Sequence, residues 1–130
     1  MTPQPHQFTA DDFFAGFLAA LTVSRHSHLV GSRTALNRAF YKAIQSPEAS
    51  FVDLNALDVD FDPLYGLSPW FDKELTRAQR DLLVSFPNPT YAAVEIKFEP
   101  QEAQELLNEL GFGEQFVRLA QLFVENLKSV

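Results

Sequence analysis

Asp58, Asp60 and Asp62 fall at alternate positions of the stretch Leu57–Asp62, so an extended chain would project all three carboxylates from one face. Calcium-binding loops begin with this spacing. Such a loop must also turn sharply through a glycine at its sixth position and close through a bidentate glutamate at its twelfth. Pro63 and Pro69 hold those places here, which removes the calcium loop. The acids then read as the solvated face of a strand, where charge also discourages edge pairing. Arg25-His26-Ser27-His28 sets two imidazoles two residues apart, with His6 far off in the chain. No third ligand is near in sequence and there is no cysteine, so this stretch reads as a solvated helix end where positive charge suits the helix dipole.

Glu95 and Lys97 lie on an apolar strand, separated by Ile96. This resembles the E-x-K half-motif of the PD-(D/E)xK nucleases. The resemblance implies a magnesium-dependent phosphodiesterase in which Asp60 or Asp62 would join Glu95 on the metal and Lys97 would orient the water. Two features count against it. Asp62-Pro63 reverses the usual order of the family's dipeptide, and a helix intervenes where the family has adjacent strands. Alternating charge on a solvated strand produces the same triplet. No glycine-rich phosphate loop and no G-x-S-x-G elbow is present.

The elements that must position these residues are legible from periodicity. Thr9 opens a capping pattern, and Phe13, Phe14, Phe17, Leu18 and Leu21 recur at helical spacing, predicting a helix from about Ala10 to Arg25. Ser32 caps a second helix reaching to about Gln45, with Leu36, Ala39, Phe40, Ala43 and Ile44 inward and Arg38 and Lys42 on the other side. Leu57–Asp62 alternates as a strand. Ser68-Pro69 starts a third helix running to about Ser85. Pro87-Asn88-Pro89 is a turn, and Tyr91–Phe98 a second strand with Val94, Ile96 and Phe98 inward. Pro100 opens a helix to Leu110, Gly111 and Gly113 break it, and a last helix carries Phe116, Leu119, Ala120, Phe123, Val124 and Leu127. Residues 1–8 read as a short arm and 9–130 as one globular domain. The expected fold is α+β and mostly helical, in the order α-α-β-α-β-α-α, with a small two-stranded ribbon and a winged-helix-like centre.

Lys73, Arg77 and Arg80 form a stripe at i, i+4 and i+7 on the third helix, as a winged helix facing phosphates would need. Asp72, Glu74 and Asp81 on the same helix would repel those phosphates. The stretch Phe61–Leu83, with Tyr65-Gly66 and Ser68 ahead of a helix carrying Leu75 and Leu82, resembles a segment of small Panacea-type, antitoxin-associated domains, which implies a regulatory module. Tyr65, Leu67, Trp70 and Phe71 cluster at the start of that helix. They read as a loop packed on the core, or alternatively as a partner-binding patch, since tyrosine and tryptophan dominate interface hot spots.

Composition bounds the function. The chain has 130 residues, 46% of them hydrophobic and 13 of them Phe, enough for one aromatic-rich core. With no cysteine, disulfides, cysteine-based zinc sites and thiol nucleophiles are excluded. That absence, the lack of a signal-peptide pattern and the shortness of the longest apolar run, Phe13–Leu21, lead us to expect a cytoplasmic protein with no membrane span. The net charge of −7 disfavours general nucleic-acid binding. The charge is unevenly spread: residues 13–47 hold Arg25, Arg33, Arg38 and Lys42 and no acid, while the remaining 6 basic and all 17 acidic residues give the rest −11. The sequence therefore leads to a non-catalytic regulatory or protein-interaction module without metal or cofactor. Arg38, Lys42, Lys73, Arg77 and Arg80 join Tyr65, Leu67 and Trp70 as candidate partner-binding residues. A homodimer is expected because the broad apolar faces of the first and last helices need cover. A DNA-binding winged-helix or antitoxin-like regulator, and then the nuclease, are the alternatives.

Overall fold

The computed structural model of the chain describes residues 6–57, 59, 62, 64–80, 84–85 and 93–128. Their elements are α1 (Ala10–Val23), β1 (His28–Val30), α2 (Arg33–Ile44), a 3-10 turn (Pro47–Ala49), α3 (Leu54–Leu57), α4 (Pro69–Arg80), β2 (Val84–Ser85), β3 (Ala93–Ile96), α5 (Pro100–Leu110) and α6 (Gly113–Lys128). The class is α+β with a helical majority, as the periodicity implied.

α1 is the central helix. The Thr9 hydroxyl accepts from the Asp12 amide at its start, and Phe13, Phe14, Gly16 to Thr22 are all buried. α5 and α6 pack on it most extensively, and α2 lies against α6. Gly16 allows the close approach. A side-chain carbon there would meet Leu110 at 2.8 Å and Phe116 at 2.8 Å, so the position has no room for one. Aromatic rings link the layers: Phe17 meets Phe40 and Phe123 edge-on, and Phe40 stacks on Phe71 at 4.7 Å between centroids. The described end of the N-terminal arm is tied down. His6 exchanges backbone hydrogen bonds with Phe51 and Asp53, and Phe8 is buried against Phe13, Phe51, Phe112 and Phe116.

A small antiparallel sheet is present, with β3 where the alternation placed it; Val94 and Ile96 are buried and Lys97 is exposed. Its pairing partners differ from those expected. β3 runs between β1 and β2, with Leu29 opposite Val94 and Val84 opposite Ile96. Leu57–Asp62 does not supply a strand among the described residues. Leu57 closes α3, and Asp62 makes an isolated bridge with Leu67. Asp58, Asp60, Phe61, Pro63, Asp81, Leu82, Pro87-Asn88-Pro89 and Tyr91 lie outside the described residues. Two segments read as helix ends belong to the sheet. α1 stops at Val23, Arg25 takes a positive φ of 66°, and the chain reverses into β1. The third helix likewise has its last described turn at Arg80, and Val84–Ser85 pair with β3.

The corrected strands sharpen the expected centre. In chain order α1, β1, α2, α4, β2 and β3, with β3 between the other two strands, have the connectivity of a winged helix. Residues 45–68 are inserted between its second and third helices.

Candidate functional site

α4 is the third helix of that connectivity, and its two sides are sharply different. Trp70, Phe71, Glu74, Leu75 and Ala78 are buried, while Lys73, Thr76, Arg77, Gln79 and Arg80 are exposed. The period of 3.6 residues puts Lys73, Thr76 and Arg80 together at the middle of the exposed side. Both described acids of the helix are withdrawn from it. The Asp72 carboxylate accepts a hydrogen bond of 3.0 Å from Asn37 of α2. Glu74 is 4% exposed and lies 3.4 Å from the Arg77 guanidinium. Arg77 also bridges to Asp11 at the start of α1, at 2.5 Å. Of the stripe seen in the sequence, Arg77 is thus engaged within the fold. Lys73 and Arg80 have no ion-pair partner among the described residues, and neither do Arg38 and Lys42 on the exposed side of α2.

The start of α4 is pinned by a residue that periodicity did not single out. Asn37 is 2% exposed. Its side-chain oxygen accepts from the Ser68 amide at 2.6 Å, and its amide nitrogen donates to the Ser68 carbonyl at 3.0 Å and to Asp72. The signal was present: an asparagine between Leu36 and Phe40 on the apolar side of a helix must find partners when buried.

Just before α4, a turn is organised by Asp62. Its side chain accepts from the Leu64 amide, its carbonyl from the Gly66 and Leu67 amides, and its own amide donates to the Leu67 carbonyl. Gly66 supplies the left-handed conformation the turn needs, φ 65°. Leu64 and Tyr65 stand out from it, 81% and 60% exposed. The structure therefore divides the aromatic cluster. Tyr65 is on the surface, Leu67 is half-buried, and Trp70 is in the core, 5% exposed, against Phe13, Phe14 and Phe40. Trp70 is buried because it follows Pro69 on the inward side of α4, so it offers no surface to a partner. The insertion 45–68 that carries the turn contains five acids, Glu48, Asp53, Asp58, Asp60 and Asp62, and no base.

Glu95 and Lys97 share the exposed face of β3 and pair with each other at 3.1 Å; Glu95 also faces His28 across the sheet at 3.7 Å. The strands beside β3 carry His28, Leu29, Val30, Val84 and Ser85, so neither brings an acid to Glu95. Asp62 is engaged in the turn before α4. His28 is a strand residue rather than the end of a helix. Among the described residues no group of three or more His, Asp or Glu side chains is placed to hold a metal ion, and no helix is long and apolar enough to cross a membrane.

The last helix finds its cover inside the chain: Phe116, Leu119, Ala120, Phe123 and Val124 are buried against α1 and α2. The large hydrophobic residues left exposed, among those described, are Val30, Leu64 and Tyr65. Among the described residues, exposed large hydrophobic side chains thus lie chiefly at the turn before α4, not on α6. A scan against protein-family models finds no match, and searches of curated proteins and of solved structures find no significant similarity.

Proposed function

We propose that this chain is a non-catalytic regulatory module of the cytoplasm that binds another protein through the surface formed by α4 and the turn before it. The observation that carries the reading is the mixed character of that surface. A helix face with the cations Lys73 and Arg80 follows a turn that exposes the apolar pair Leu64 and Tyr65 and is organised by Asp62. Protein interfaces combine aromatic anchors with charges of both signs. A duplex presents a uniform line of phosphates, which a chain of net charge −7 would repel.

A photo-crosslinking amino acid placed at Thr76, in the native host, tests this. The expected result is a protein adduct, identified by mass spectrometry, that is absent when the probe sits at Glu105 on α5 and is lost on Lys73→Glu/Arg80→Glu. No adduct at Thr76 above that at Glu105 would end the reading. A second reading, duplex binding by a winged helix, is favoured by the connectivity and by the withdrawal of Asp72 and Glu74 from the exposed side of α4. Tight duplex binding at physiological salt that disappears with the same double variant would replace the first reading with the second.

A further inference from the structure

We infer that Arg77 is a restrained member of the α4 surface: Asp11, at the start of α1, competes with the acid of a bound partner for its guanidinium, and so sets how tightly α4 binds. The inference rests on reading the α4 surface as protein-binding, and it names how that surface is regulated. Arg77 lies four residues after Lys73 and three before Arg80, so helical spacing makes it a neighbour of both. Its charge is nevertheless used inside the fold. One nitrogen, Nη1, serves two acids. It donates to Asp11 at 2.5 Å and lies 3.4 and 3.5 Å from the two carboxylate oxygens of Glu74.

The two contacts differ in kind. Glu74 has a side chain only 5% exposed, and Arg77 is the cation beside it. A buried charge that loses its partner destabilises the fold strongly, so the Glu74 contact is the fixed one. The Asp11 side chain is 71% exposed. A contact with so solvated an acid is weak and screened by salt, and it is the one that a carboxylate arriving on α4 can replace. Room for the exchange is present. A cavity of about 230 Å³ opens between α1 and α4, its walls including Asp11, Asp12, Phe14, Glu74, Arg77 and Ala78. The arginine therefore borders a space and is not wedged among packed side chains. Binding at α4 and the Asp11 contact are then linked: loss of the contact strengthens binding, and binding weakens the contact by the same factor.

Photo-crosslinking from Thr76 tests this. The purified chain is titrated into lysate of the native host, and the concentration giving half of the maximal adduct is read for each variant. Asp11→Asn should lower that concentration about twofold, the effect of an exposed ion pair. Asp12→Asn removes the same charge from the same turn of α1, and Asp12 has no ion pair among the described residues, so it should change the value less. In an Arg77→Gln/Glu74→Gln chain, which removes the buried acid together with its cation, Asp11→Asn should do no more than Asp12→Asn. Circular dichroism checks that each variant is folded, and the comparison of Asp11 with Asp12 decides even if the double variant is not. No gain with Asp11→Asn, equal gains with Asp11→Asn and Asp12→Asn, or an undiminished gain in the double variant would each overturn the inference while a Thr76 adduct leaves the protein-binding reading standing. Absence of a Thr76 adduct above that at Glu105 would end both.

Discussion

α4 and α5 are amphipathic helices of 12 and 11 residues, each giving one side to the core and one to water. α5 buries Ala103 and Leu107 and exposes Gln101, Glu102, Gln104, Glu105, Asn108 and Glu109, with no cation anywhere along it. Its acids are solvated. α4 contains acids as well, but uses them internally: Asp72 meets Asn37, and Glu74 lies under Arg77. The charges that remain for the surface are those of Lys73 and Arg80. The charge a helix shows to a partner is therefore not the charge of its sequence. It is what is left after the fold has taken the side chains it needs.

The strongest way to break this comparison is to replace Trp70, which the sequence allowed as a surface anchor and the structure places in the core. Trp70→Ala should cost about 3–5 kcal/mol, the usual range for emptying a buried aromatic site. Tyr65→Ala, a few residues away but exposed, should change stability by no more than about 0.5 kcal/mol. Chemical denaturation followed by circular dichroism measures both. Equal and small costs would show that Trp70 is not the core residue of α4, and the division between its two sides would fail.

Sequence reading succeeded where one local rule decided the outcome. Thr9 and Ser32 cap the helices they were expected to cap, Pro100 opens α5, and Gly111 ends it at φ 82°. Val94 and Ile96 point inward from β3 as their alternation required. It failed where a contact distant in the chain decided. His28–Val30 and Val84–Ser85 are too short to show a period, and become strands only because β3 lies between them. The alternation of Leu57–Asp62 supplies no strand among the described residues, and Leu57 closes the short helix α3. The candidate site was half legible. The cations of α4 were visible as a stripe, whereas the withdrawal of Asp72 depends on Asn37, which reaches Ser68 and Asp72 across 31 and 35 residues of chain.

That dependence gives the next test. Asn37→Ala leaves the fully buried Ser68 amide and the half-buried Asp72 carboxylate without the partner that holds them. An unpaired buried donor or acceptor costs about 1–3 kcal/mol, so the variant should lose stability in that range. It should also release the first turn of α4. Amide exchange at Ser68 and Trp70 to Asp72 should speed up more than at the matching residues of α5, Glu99 and Gln101 to Ala103. A uniform change across both helices would mean that Asn37 stabilises the core in general and does not position α4.

The smallest expected effect isolates the Arg77 bridge. Asp11 lies in the first turn of α1, and Arg77 reaches it from α4 with the two side chains 71% and 46% exposed. A pair this solvated contributes about 0.2–1 kcal/mol, and a negative charge at a helix start contributes about 0.3–1 kcal/mol more. Asp11→Asn removes both. Glu102 occupies the first turn of α5 with no ion pair among the described residues, so Glu102→Gln removes only the second. The difference between the two variants is then the worth of the bridge, about 0.5 kcal/mol at low ionic strength. It should shrink as salt screens it, since the Debye length falls to about 3 Å at 1 M. Freed from Asp11, Arg77 keeps Glu74 but turns part of its charge to the surface beside Lys73 and Arg80. Asp11→Asn should therefore weaken the fold slightly and strengthen association through α4 at the same time, whereas Glu102→Gln should leave association unchanged. If Asp11→Asn weakens both, Arg77 serves the α4 surface only while it is held by Asp11.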